Sequence, residues 1–170
     1  FSKYPHCWGW ATWKRSWLNY DHNMLGWNEF YNNQGLDNFN DCNKTFNHVW
    51  GRMVNSVIQG KENSWAYRWT ISCWQQNALT ITPSKNLVSN IGYGENGTHP
   101  IDKDSPIINL LKHELKFPMK HPTMIYRNIA ADKMADEIVF NINIVSKIKA
   151  LFIRLLPEKV VNFISNLKRR

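Results

Sequence analysis

Trp8-Gly9-Trp10, followed at short intervals by Trp13 and Trp17, gathers four of the chain's nine tryptophans around one glycine. Indoles are flat and amphipathic, and such rings stack on the C–H faces of sugars. A glycine between two of them implies either a turn with positive φ or a close approach, because a Cβ would collide there. Trp8 and Trp10 can equally belong to the core, where tryptophan is heavily buried on average. Further along, Gly94-Glu95-Asn96-Gly97-Thr98-His99-Pro100 brings a carboxylate and an imidazole into one loop. A carboxylate of ordinary pKa is ionised at neutral pH and can accept the proton of a hydroxyl within reach as that hydroxyl attacks, which makes Glu95, and after it Glu62, candidates for a general base. A glutamate or a lone histidine in such a loop is otherwise only solvated. Arg68 stands one turn from Trp65 among aromatic residues that can aim its guanidinium at a pyrophosphate or a carboxylate; a structural ion pair or a surface position accounts for it as well.

Elements must hold these residues together. Thr12 is placed to cap a helix in which Trp13, Trp17 and Tyr20 recur at i, i+4 and i+7, and this face is expected in the core. Residues 21–40, rich in Asn, Gly and Asp, read as a loop with one helical turn or two. From Asp41 as N-cap, Cys42, Phe46, Val49, Trp50, Met53, Val54, Val57 and Ile58 keep helical spacing until Gly60, with His48 off the stripe. Ser64 opens a second helix with Trp65, Trp69, Ser72 and Cys73 on one face, and Asn77 is available to end it. Ala78-Leu79-Thr80-Ile81-Thr82, stopped by Pro83, and the alternating Leu87-Val88-Ser89-Asn90-Ile91 read as strands. The order predicts an α/β fold with a mixed sheet and flanking helices. Residues 101–131 are irregular, and the chain turns helical again from Asp132.

The formal net charge of +8 does not mark a nucleic-acid groove. Residues 141–170 hold seven basic side chains against Glu158, whereas residues 1–140 hold 14 basic and 12 acidic ones, so the charge belongs to a tail. Within it, Ile144, Ile148, Leu151, Phe152 and Leu155, then Val160, Val161, Ile164 and Leu167, follow helical spacing with lysines and arginines on other faces. Two basic amphipathic helices suit an anchor lying on an anionic membrane surface; docking on the protein's own core is the alternative. The three cysteines are widely spaced, which suits a reducing, cytoplasmic setting.

The run from Tyr4 to Trp17, Tyr-Pro-His-x-Trp-Gly-Trp-Ala-Thr-Trp-Lys-Arg-x-Trp, resembles the middle of a group of bacterial nucleotide-diphospho-sugar transferases of the glycosyltransferase family 2 type, some of which carry a hemolysin-like name. The likeness continues through Asn63-Ser64-Trp65-Ala66-Tyr67-Arg68-Trp69, Leu79-Thr80-Ile81-Thr82-Pro83 and Asn86-Leu87-Val88-Ser89-Asn90-Ile91-Gly92-Tyr93-Gly94, and ends near residue 125. It implies that residues 1–131 are the acceptor-side half of a GT-A-like domain, without the nucleotide-binding half and its Asp-x-Asp motif; residues 132–170, beyond the likeness, read as the basic amphipathic helical tail. The implied activity is inverting, metal-assisted transfer of a sugar from a nucleotide-sugar donor to an envelope glycan; the location expected from the cysteines is cytoplasmic, and the membrane reading of the tail would make it peripheral at the inner face of the plasma membrane. Trp8, Gly9, Trp10, Trp65 and Arg68 then bind substrate, Glu95 acts as base, and His99 ligates a divalent Mn or Mg. Close relatives within that group read Trp-Asp-Tyr-x-Trp where this chain has Ala66, while other members resemble its Trp-Ala-x-Arg-Trp version; the departure leaves the base in question and admits a non-catalytic carbohydrate-binding or membrane-associated module as the rival.

Overall fold

The helical stripe of residues 46–57 organises the protein. In the structure, a computed structural model that describes residues 1–89 and 110–142, this stripe lies on α3 (Lys44–Ile58). Before it come α1 (Lys14–Trp17), α2 (Trp27–Asn32) and a 3-10 turn (Gly35–Asn38); after it come α4 (Trp65–Gln75) and α5 (Ile129–Ile138). Phe46, Trp50, Val54 and Val57 recur along one face of α3 and are buried. They meet Ile71 and Trp74 of α4, with Tyr4, Trp27, Leu36, Phe39 and Ile142 closing the core. Trp74 sits at its centre, with its ring centroid 4.5 Å from Trp50 and 5.2 Å from Phe39, and its indole N–H donates to the Lys3 carbonyl at 2.7 Å.

The expected mixed sheet is absent from the described residues. Among the described residues there is no strand, and the β-rich segment 78–82 contributes one isolated antiparallel bridge, Ser2 to Thr80, closed by two backbone hydrogen bonds of 2.9 Å. The bridge cannot grow toward the next facing pair, Tyr4 and Ala78, because both amides are engaged. Tyr4 N–H donates to Ser2 Oγ at 3.0 Å, and Ala78 N–H caps α4 by donating to the Cys73 carbonyl at 2.9 Å. The alternation at 87–89 is likewise taken up locally. Asn86 Nδ2 donates to the Val88 carbonyl at 2.8 Å and, across the chain, to Leu110 at 3.3 Å. The described part of the fold is therefore helical, and the α/β expectation is corrected.

Helix ends follow local chemistry. Asp41 does not cap α3, because Asp41 and Cys42 both have positive φ (+50° and +66°) and delay the helix; Asn43 caps it instead, accepting from Thr45 N–H at 3.1 Å. Gly60 (φ +68°) closes α3, and Asn77 (φ +50°) ends α4, as their residue types lead one to expect. α1 is a single turn preceded by Trp13 rather than capped by Thr12, and none of its residues is buried. The expected inward face of Trp13 and Trp17 is thus corrected: Trp13 is 57% and Trp17 40% exposed.

Ionic contacts fasten α5 to the first residues of the chain. Asp132 Oδ1 accepts from Ser2 Oγ at 2.6 Å and Oδ2 from Lys3 N–H at 3.0 Å; Arg127 Nε pairs with the same carboxylate at 3.2 Å. One turn on, Asp136 accepts from Lys3 Nζ at 2.9 Å and from the Tyr4 hydroxyl. Asn128 both caps α5, by accepting from Ala131 N–H at 3.1 Å, and donates its own N–H to the Phe1 carbonyl at 2.8 Å.

The three thiols are free and differently placed: Cys42 is exposed, Cys7 half-buried and Cys73 buried. Burial raises Cys7 from 9.0 to about 11; burial, with a smaller contribution from Cys7, raises Cys73 to about 12. Because both folded values lie above the unfolded one, the stability they contribute is present below pH 9 and is lost as the pH rises toward their folded values. Since the thiolate is the reactive form, one equivalent of a thiol reagent is expected to enter the native protein rapidly, at Cys42, and the other two only after unfolding. Peptide mapping of the labelled protein checks this; rapid labelling at Cys73 would contradict the buried placement.

Candidate functional site

Two backbone turns bring the tryptophan-rich segment back onto α4. His6 has φ +45°, and its carbonyl accepts from Trp8 N–H at 2.8 Å. Gly9 has φ +56°, and a Cβ built on it would lie 2.6 Å from Val88 Cγ1. Both reasons for a glycine at that position, turn and close approach, therefore operate. The chain then lays Trp10 on α4: its ring is stacked on Trp65 (5.4 Å between centroids, 26° between planes) and lies 5.9 Å from Trp69 and 6.0 Å from Trp17. Trp17 lies 5.1 Å from Trp69 and is parallel to Tyr20 at 4.7 Å and 4°.

The result is a five-ring wall with a buried floor and open sides. Trp69 is 4% exposed, whereas Trp65 is 44% and neighbouring Trp8 46% exposed. α4 makes this possible by being aromatic on two faces. Tyr67, Ile71 and Trp74 form the stripe that meets the core, while Trp65, Arg68, Trp69 and Ser72 form the stripe that carries the wall. Ser72 fixes the loop leading away from the wall, as its hydroxyl donates to the Arg68 carbonyl at 2.9 Å and accepts from Asp21 N–H at 3.0 Å. Arg68 is half-buried and makes no ion pair among the described residues. Its charge reaches Tyr20, where it opposes the upward pKa shift that burial causes.

Of the residues singled out in the sequence, Trp10 and Trp65 are thus in contact, Gly9 makes the turn between Trp8 and Trp10, and Arg68 shares the wall face of α4. Glu95 and His99 lie outside the described residues. Trp17 and Tyr20 belong to the wall although helical spacing assigned them inward, and Trp69 of α4 forms its buried floor. Their signal lay in α4 itself: residues 65, 67, 69 and 74 spread indole and phenol rings around more of the helix than a single core can cover.

The wall offers an amphipathic surface on which a sugar ring can stack, with the cation of Arg68 in the same helix stripe. It offers no metal site: among the described residues no group of three or more His, Cys, Asp or Glu side chains is arranged to hold an ion. The acids nearest to such a cluster, Asp41 and Asp136, are neutralised by Lys3 and Arg127. Likewise, no helix among the described residues is long and apolar enough to cross a membrane. Comparison of the chain with family models, with curated proteins and with solved structures finds no match.

Proposed function

We propose that this chain is the acceptor-binding part of a glycosyltransferase that moves a sugar from a nucleotide-sugar donor to a glycan, and that the Trp10–Trp65 wall seats the acceptor. The observation that carries this reading is the wall's openness. Five rings are packed against one another, yet those of Trp17 and Trp65 remain more than a third exposed, an arrangement that buries less apolar surface than a core would. The ordered resemblance of residues 1–125 to transferases of this kind supplies the reaction class.

In such a transfer an acceptor hydroxyl attacks the anomeric carbon of the donor, the bond to the nucleotide diphosphate breaks, and the proton passes to a base. The wall contributes position: stacking fixes the plane of the acceptor ring and excludes water from one face. Glu95 is the proposed proton acceptor and His99 the proposed ligand of a divalent metal, which when bound would offset charge on the departing diphosphate. Residues 144–170 are proposed to hold the protein on an anionic membrane surface.

One observation favours a second reading. Ala66, in the first turn of α4 beside Trp65, presents a methyl group where some of the transferases that the chain resembles carry a carboxylate, and its backbone carbonyl accepts from Thr70 Oγ1 at 2.9 Å. A non-catalytic glycan-binding module would have the same wall and need no base. Donor turnover by the full-length protein separates the two. Wild type is expected to release nucleotide diphosphate faster when acceptor glycan is added, and Glu95→Gln to lose about 10²- to 10⁴-fold in rate, the usual worth of a general base. Glycan binding without turnover in either protein would establish the module; undiminished turnover in the variant would remove Glu95 as base.

A further inference from the structure

We infer that the glycan on this wall is acidic, and that Arg68 takes the carboxylate of a uronic acid residue next to the sugar ring stacked on Trp65. The inference rests on the reading of the wall as a glycan site and adds its substrate class. Residues three apart on a helix are neighbours on its surface, so Arg68 stands beside Trp65. One residue on, Trp69 forms the buried floor of the wall beneath Trp10 and Trp17, so Arg68 lies in the helix stripe that carries the rings, and its charge acts on Tyr20.

No carboxylate of the described residues claims it. Asp21, the acid that also acts on Tyr20, accepts instead from the backbone N–H groups of Asn23 at 3.1 Å and Gly26 at 3.3 Å. Glu62 acts on Tyr67, which turns toward Trp50 on the core side of α4. α1, which carries the wall's Trp17, adds Lys14 and Arg15, whose guanidinium lies 5.0 Å over the Trp13 ring. A half-buried guanidinium on the wall face of α4, in no ion pair among the described residues, matches the fork geometry of a carboxylate and gives a neutral sugar nothing comparable.

The test is a fluorescence titration of the tryptophans with tetragalacturonate and with its carboxyl-reduced counterpart, a ligand of the same rings and linkages without charge. The acidic tetrasaccharide is expected to bind at least about tenfold more tightly, in keeping with a charge-assisted hydrogen-bonded pair. In Arg68→Gln the ratio of the two dissociation constants is expected to fall to near one. In unmodified protein, raising salt from about 50 mM to about 500 mM is expected to shrink the same ratio by screening, a readout independent of whether the variant folds. Equal binding of the two ligands by wild type, or a ratio unmoved in Arg68→Gln, would overturn the acidic specificity and leave the glycan site standing. Absence of binding by either ligand would overturn both.

Discussion

Truncation of Asp136 to alanine is expected to cost about 3–5 kcal/mol of folding stability, the usual penalty for leaving a buried charge without its partner. Lys3 carries that charge: its side chain is 0% exposed, and its ammonium is held by Asp136 at 2.9 Å, the Phe39 carbonyl at 2.9 Å and the Phe46 ring at 4.2 Å. Asp41 is more distant, at 3.7 Å, and is shared with Arg127. Burial lowers the Lys3 pKa and raises that of Asp136; in each case desolvation outweighs the attraction of the pair. The contact therefore adds little net stability of its own, and the large effect of Asp136→Ala comes from stranding Lys3 and the Tyr4 hydroxyl. It follows that Lys3→Met combined with Asp136→Leu should be much less harmful than the two single changes added together, because the pair is then replaced by apolar volume. Urea unfolding of the four proteins measures this coupling. A loss below about 1 kcal/mol in Asp136→Ala would mean that Lys3 reaches water and that α5 is not fastened as described.

That network was the least legible part of the sequence, for a physical reason. Asp132 and Asp136 lie four apart and share one face of α5, which ordinarily marks a solvated face; here that face is buried, while Ile129, Met134 and Ile138 point outward and are exposed. Only partners more than a hundred residues away, Ser2, Lys3 and Tyr4, reverse the usual polarity. The sheet failed for a related reason. Thr80-Ile81-Thr82 has strand-like composition, but a strand needs free amides opposite it, and Ser2 Oγ and the cap of α4 had taken them. By contrast α3 and α4 could be read directly, since their apolar spacing and the residues Gly60 and Asn77 act within a few positions. Gly9 was legible as well, because a single residue type answers to one backbone conformation.

Trp65 is where the proposed site can be separated from the fold that carries it. Trp65→Ala is expected to weaken acceptor glycan binding by about tenfold or more, since an indole covering a sugar face removes apolar area worth about 1.5–2 kcal/mol. Its effect on stability should be small, because the ring is 44% exposed and stacks on Trp10 without entering the core. Trp69→Ala should behave oppositely. That ring is 4% exposed and touches Trp10, Trp17 and Tyr20, so its loss opens a cavity beneath the wall and costs about 3–5 kcal/mol before any ligand is added. Trp10→Ala falls between them, removing one face of the stack while leaving the floor in place. Thermal unfolding and glycan titration on the same three variants would therefore rank them in reverse orders, Trp65 first for affinity and Trp69 first for stability. If Trp65→Ala binds glycan as tightly as wild type while Trp69→Ala loses only stability, the exposed indoles are packing surface, and the acceptor must bind elsewhere.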